Sequence, residues 1–212
     1  MTTLPAVPPP PRPGLRERKK AATMRHVQDT ALELFTERGF DAVTIEEVAE
    51  AAEVSASSVY RYFGTKEGLI LHDEFDDQVI LGLQHFLQQG MTPWQAVEAS
   101  LELVSEEHFV AQEESSLARL RLWMTTPQIR AAAHLMIEEM VDDVARMMAG
   151  TGRWTFAQAR VVCTAIVWPL VAALKNWHDA GGTEPWQQHV HEALEAIRQT
   201  MPGDPALPGD PA

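Results

Sequence analysis

Apolar residues recur three and four positions apart along almost the whole chain, and no stretch alternates apolar with polar residues under β-branched enrichment. That period belongs to one face of an α-helix, so the pattern predicts an all-α protein. Helices are expected at about 16–38, 45–52, 56–62, 66–88, 93–109, 112–124, 128–149, 156–179 and 185–200, about nine in all. Proline placement sharpens the picture. Of 14 prolines, six lie in residues 5–13 and four in residues 202–211, which marks both ends as extended low-complexity segments. Pro93 and Pro127 follow Thr92 and Thr126 and suit first helical positions behind threonine N-caps. Pro169 falls inside a helical pattern and is expected to kink it.

The first helix lines up Met24, Val27, Ala31, Leu34 and Phe35 on one face and stops at Gly39, a residue suited to a left-handed C-terminal position. Thr44 with Glu47 three residues on is a capping box, in which two side chains satisfy exposed backbone donors at a helix start. Ile45, Val48, Ala49 and Ala52 give that short helix an inner face. After a turn at Glu53 and Val54, Ser55 caps a third helix, and Val54 and Val59 stand where a hydrophobic staple needs them. Two short helices across a three-residue turn have the spacing of a helix-turn-helix, whose second helix offers its outer face to a DNA major groove. That face carries Ser55, Ser57, Ser58, Arg61 and Tyr62. Hydroxyls bond phosphate oxygens or base edges, and a guanidinium grips guanine or phosphate with two bonds. Lys66, expected at the start of the fourth helix, suits a phosphate.

Charge first opposes and then refines this reading. The net charge is −13, and phosphate binding needs cations. Residues 1–70, however, hold 9 Lys/Arg against 10 Asp/Glu, while residues 71–212 hold 8 against 20. Between positions 12 and 25, Arg12, Arg16, Arg18, Lys19, Lys20 and Arg25 face only Glu17, a net of +5 on an arm leading into the first helix. A DNA-backbone-contacting arm needs such a run, and a solvated tail also carries one.

The stretch from Ala31 to Leu69, ALELFTERGFDAVTIEEVAEAAEVSASSVYRYFGTKEGL, closely resembles the DNA-binding domain of TetR-family repressors. Three segments match in register: ALELF-x-x-x-GF, T-x-x-x-V-A and VS-x-x-x-VYRYF-x-x-KE-x-L. The resemblance implies that Thr44 contacts backbone phosphate, that Ser57, Ser58, Tyr60, Tyr62 and Lys66 line the DNA, and that the fourth helix connects the DNA site to a ligand site. Two positions depart from the family's pattern. Glu53 stands where glycine is usual in the turn, and costs about 1 kcal/mol of strain if the turn needs a positive φ. Ala56 stands where many relatives carry a larger or basic side chain.

The expected architecture is a 1–14 Pro-rich tail, a 15–65 helix-turn-helix domain of three helices, a 66–200 helical ligand-binding and dimerisation domain, and a 201–212 tail. The 156–179 helix is apolar on nearly every face (Val161, Val162, Ala165, Ile166, Leu170, Ala173, Leu174, Trp177) and needs cover on several sides. The last helix carries a clean stripe of Trp186, Val190, Ala193, Leu194 and Ile197. In the family the last two long helices pair between subunits, so a homodimer through 156–179 and 185–200 is expected. Two recognition helices must also be held about 34 Å apart to meet successive major grooves.

A small-molecule effector site is expected among Phe109, Arg121, Trp123, Met124, His134, Met140, Trp168, Asn176 and Trp177, because Met and aromatic side chains line adaptable apolar cavities and a few polar groups orient the ligand. Plain core is the bland reading of the same residues. No metal site is expected, since His189 and His191 sit two apart and do not share a helix face with each other, and His178 lies on another helix. No cofactor is expected. Cys163 is the only cysteine, so neither a thiolate cluster nor a redox pair can form, and a buried thiol behaving as a small apolar residue is the reading. No phosphate loop, G-x-S-x-G or H-E-x-x-H occurs, which argues against an enzyme. The longest uncharged apolar stretch, Val161 to Leu174, is about fourteen residues against the roughly twenty of a membrane span, and the N-terminus lacks an export signal, so a cytoplasmic location is expected. A helical small-molecule binding or carrier dimer with a vestigial DNA-binding module is the alternative from another class.

Overall fold

A computed structural model describes residues 14–72, 76–104 and 113–200. Every regular element among them is helical: α1 (Leu15–Arg38), a 3-10 turn (Phe40–Ala42), α2 (Ile45–Ala51), α3 (Ala56–Phe63), α4 (Gly68–Leu71), α5 (Asp76–Gln88), α6 (Pro93–Val104), α7 (Glu113–Thr125), α8 (Pro127–Gly150), α9 (Phe156–Asp179) and α10 (Trp186–Thr200). The all-α expectation holds. Residues 105–112, with His108 and Phe109, lie outside the described residues.

Backbone contacts divide the chain into two compact units. The first holds α1 to α4 together with residues 114–133, that is α7 and the opening of α8. Its core gathers Val27, Ala31 and Phe35 of α1, Phe40 of the turn, Ile45, Val48 and Ala49 of α2, Val59 and Phe63 of α3, Leu69 and Ile70 of α4, and Ile129 of α8. Burying each of its Val, Leu, Ile and Phe side chains is worth roughly 1.5–3 kcal/mol, so this cluster holds the three short helices that are too short to persist alone. Leu122 and Trp123 of α7 pack against the same cluster. Beyond the boundary expected at 65/66, residues 66–72 and 114–133 group with the N-terminal module by backbone contacts.

The local stop and start signals stand where the sequence put them. Gly39 has φ +85° behind α1, Thr44 and Glu47 form the full capping box of α2, and the Ser55 hydroxyl accepts from the Ser58 amide at the start of α3. Glu53 has φ +55°, the one positive value at a non-glycine among the described residues.

The helix expected over 66–88 is two helices. α4 stops at His72, whose backbone is extended (φ −68°, ψ 129°), and α5 begins at Asp76. Partners distant in sequence hold the chain there. Gln28 of α1 donates to the Leu69 carbonyl at 3.2 Å and the His72 carbonyl at 2.8 Å. Arg119 of α7 donates to Ile70 at 3.0 Å and His72 at 2.6 Å. Carbonyls left open at a helix C-terminus are satisfied by side chains instead of another turn.

Among the described residues, the second unit holds 76–104 and 134–200. α5 packs on α6 and α9 on α10. Ile137, Val141, Val144 and Met148 of α8, Ala159, Cys163, Ile166, Ala173 and Trp177 of α9, and Trp186, Val190 and Leu194 of α10 are buried. Cys163 lies against Met148, and burial pushes its thiol up to about 11, so it is an inert core residue. α9 continues through Pro169, which gives up one ladder bond.

Candidate nucleic-acid interface

α3 divides its residues cleanly. Val59 and Phe63 face the core, at 0% and 8% exposure, while Ser57, Tyr60 and Arg61 are exposed and Ser58 and Tyr62 half-buried. The outward groups form a connected polar layer. Arg61 donates to the Ser58 hydroxyl at 3.3 Å and to the Tyr62 hydroxyl at 3.2 Å, with its guanidinium 4.8 Å from the Tyr62 ring centroid. The Tyr60 hydroxyl donates to Glu46 of α2 at 3.3 Å, and that carboxylate raises the Tyr60 phenol above its ordinary value. Hydroxyls and one guanidinium held on a convex helix face can meet phosphate oxygens and base edges.

The remaining predicted DNA residues have duties inside the module. The Thr44 hydroxyl donates to Glu47 at 2.9 Å and accepts from the Glu47 amide at 3.2 Å, and the Ser55 hydroxyl is spent on its cap and on Ser57 and Ser58. Glu47 is in turn gripped by Arg38 at 2.6 Å; that guanidinium, then the Thr44 amide, hold the carboxyl at about 2. Lys66 does not open a helix, since α4 starts at Gly68. Its ammonium donates to the Phe40 carbonyl and lies 4.2 Å from the Phe40 ring centroid, over the module's aromatic core. Sequence reasoning did not single out Glu46 or Arg38, whose partners are distant in sequence. It placed Lys20 in the basic arm without tying it to α3, yet the Lys20 ammonium stands 5.8 Å from the Tyr62 centroid. The signal for that approach is its spacing, seven residues before Val27 on the α1 stripe.

The predicted effector residues do not gather in one place. Trp123 belongs to the margin of the module's core, Arg121 and Asn176 are exposed, and Met124 is half-buried. Trp177 is buried in the α9–α10 packing and donates to the Glu184 carbonyl at 2.8 Å. His134 and Trp168 do meet, with ring centroids 5.4 Å apart, and Met140 and Trp168 are each 36% exposed. A cleft of about 580 Å³ opens elsewhere in the second unit, lined by Gln84, Leu87 and Gln88 of α5, Met147 and Gly150 of α8, and Arg153. None of the predicted effector residues lines it. The sequence reading weighted aromatics, whereas the residues lining this cleft include none and come from helix ends.

α9 is long and apolar enough to cross a membrane by length and composition, with a mean hydropathy of 1.6 over its most apolar window. The uncharged run counted in the sequence understated it. Arg160 in this helix pairs with Asp142 of α8 through two bonds of 2.7 and 2.9 Å. Opposite the buried side runs an exposed stripe of Ala157, Val161, Ala165, Trp168 and Ala172, with Val161 69% exposed. The stripe expected on α10 is instead spent on α9 of the same chain, and its outer face shows Gln188, His191 and Glu192.

Residues 28–72 match the family model for bacterial regulatory proteins of the tetR family. The chain is 32% identical over 143 residues to the HTH-type transcriptional regulator TcmR of Streptomyces glaucescens, a match covering 65% of this chain and 63%, under two thirds, of TcmR. In fold it is similar to NalD, the secondary repressor of the MexAB-OprM multidrug efflux pump in Pseudomonas aeruginosa, with a TM-score of 0.54 at 18% identity over 85% of this chain and 96% of that one. It is also similar to SmeT, solved as a complex with triclosan, with a TM-score of 0.50 at 16% identity over 90% of this chain and 98% of that one. Together with the capped helix pair and its outward polar layer, the match over residues 28–72 identifies this part of the chain as a DNA-binding module similar to that of bacterial regulatory proteins of the tetR family.

Proposed function

We propose that the chain is a repressor that holds a palindromic operator as a homodimer and releases it when an apolar or aromatic small molecule binds the C-terminal unit. The observation that carries the DNA-binding part is the division of α3, with Val59 and Phe63 inward and Ser57, Tyr60, Arg61 and Tyr62 outward. The exposed apolar stripe of α9 supports the dimer, because five small or apolar positions in four-and-three steps facing water are a surface that gains by being covered. Dimer symmetry would then present α3 twice, as two half-sites about 34 Å apart require. NalD is named a repressor and SmeT was solved with a small molecule, which supports the effector-released reading. Release follows only if the effector prefers the conformation that cannot bind DNA. Such a regulator works in the cytoplasm.

A gel-shift titration with DNA flanking its own gene tests the reading. Sequence-selective, salt-sensitive retardation that Tyr62→Ala weakens at least tenfold, with the oligomer unchanged, is expected. No retardation at low salt would instead favour a small-molecule binding or carrier dimer with a vestigial DNA-binding module.

A further inference from the structure

The helix-turn-helix of this chain is acidic. Residues 40–63 hold Arg61 as their one cation against Asp41, Glu46, Glu47, Glu50 and Glu53, a net charge of −4. Lys66, the next cation along, is turned onto the Phe40 ring. Phosphate contacts supply most of the sequence-independent affinity for DNA, and a surface of that charge is repelled by them.

The compensating charge sits on the first turns of α1. Val27, Ala31 and Phe35 form the buried stripe of that helix, each at most 1% exposed. Two and three turns before Val27 the same stripe reaches Lys20 and Arg16, so the face that packs on the module's core continues as a cationic face beyond it. Lys20 stands 5.8 Å from the Tyr62 ring and Arg61 4.8 Å from the same ring, so Tyr62 joins the two helices' outward faces into one surface. Arg16, Arg18, Lys19 and Lys20 are all exposed. The family match begins only at residue 28, so this basic face belongs to the part of α1 outside it.

We infer that the N-terminal turns of α1, through Arg16 and Lys20 beside Tyr62, are the phosphate-binding surface of this protein, while α3 supplies base contacts with little net charge of its own. The inference rests on the DNA-binding reading above and divides its labour. A run of exposed cations can also serve a membrane surface or mere solubility, and these readings differ in what they do to the salt dependence of DNA binding.

The test measures association of the full chain with a duplex of arbitrary sequence between about 50 and 200 mM salt. The double variant Arg16→Gln, Lys20→Gln is compared with wild type and with Arg153→Gln in the second unit. The log–log slope of the binding constant against salt is expected to fall by about 0.9 for each phosphate that is no longer neutralised, and affinity at the lower salt at least tenfold, while Arg153→Gln matches wild type. The thermal midpoint should not move, because both side chains are exposed. A double variant with an unchanged slope, or one that loses only retention on anionic lipid vesicles, overturns the inference while the DNA-binding reading stands. A wild-type chain that ignores the duplex even at the lower salt overturns both.

Discussion

Glu53 shows how a single residue can carry a cost that the fold absorbs. The turn between α2 and α3 needs a left-handed residue, and Glu53 meets it at φ +55°. A side chain there costs about 1 kcal/mol that glycine avoids, so Glu53→Gly should raise the unfolding free energy by about 1 kcal/mol in urea melts. Glu47 is the opposite case. Its carboxyl is held at about 2 against an ordinary 4.5, chiefly by Arg38. A depressed folded-state value means stability that is present above pH 4.5 and lost as pH falls toward 2. Unfolding midpoints over that window should therefore fall more steeply for wild type than for Glu47→Gln. Both residues were legible in the sequence, because a capping box and a non-glycine turn are local patterns. Arg38 was not, since nothing local ties it to a carboxylate nine positions on.

At the scale of elements, the short helices ran true to pattern and the long connecting one did not. Periodicity extends smoothly through 66–88, yet the chain turns extended at His72 because Gln28 and Arg119 take the carbonyls there. Those partners lie 44 and 47 residues away, beyond any local rule. The other end of α4 has no spare room at Gly68, where a Cβ would stand 2.1 Å from the Phe63 carbonyl oxygen. Backbone cannot yield as a side-chain tip does, so Gly68→Ala should destabilise the protein by about 2 kcal/mol in the same melts. An unchanged melt would mean that the α3–α4 junction is looser than this geometry. Trp123 makes a related point: its apolar helix position was plain, but not that its cover is the N-terminal core.

For the whole molecule, the DNA-binding module and its fold were readable from about forty residues because capping, turn and core signals there agree with one another. The effector site was not, since an aromatic side chain looks the same in a core, as with Trp177, or on a surface stripe, as with Trp168. The surface left uncovered on α9 and the outward face of α3 together support a symmetric DNA-bound pair. A hydroxyl-radical footprint of the intact protein, on a duplex it has itself enriched from a random pool, tests that pair most directly. Two protected patches related by a dyad, with centres about 10.5 base pairs or a multiple apart, are the predicted result. No protection, or one patch without a symmetric mate, would contradict it.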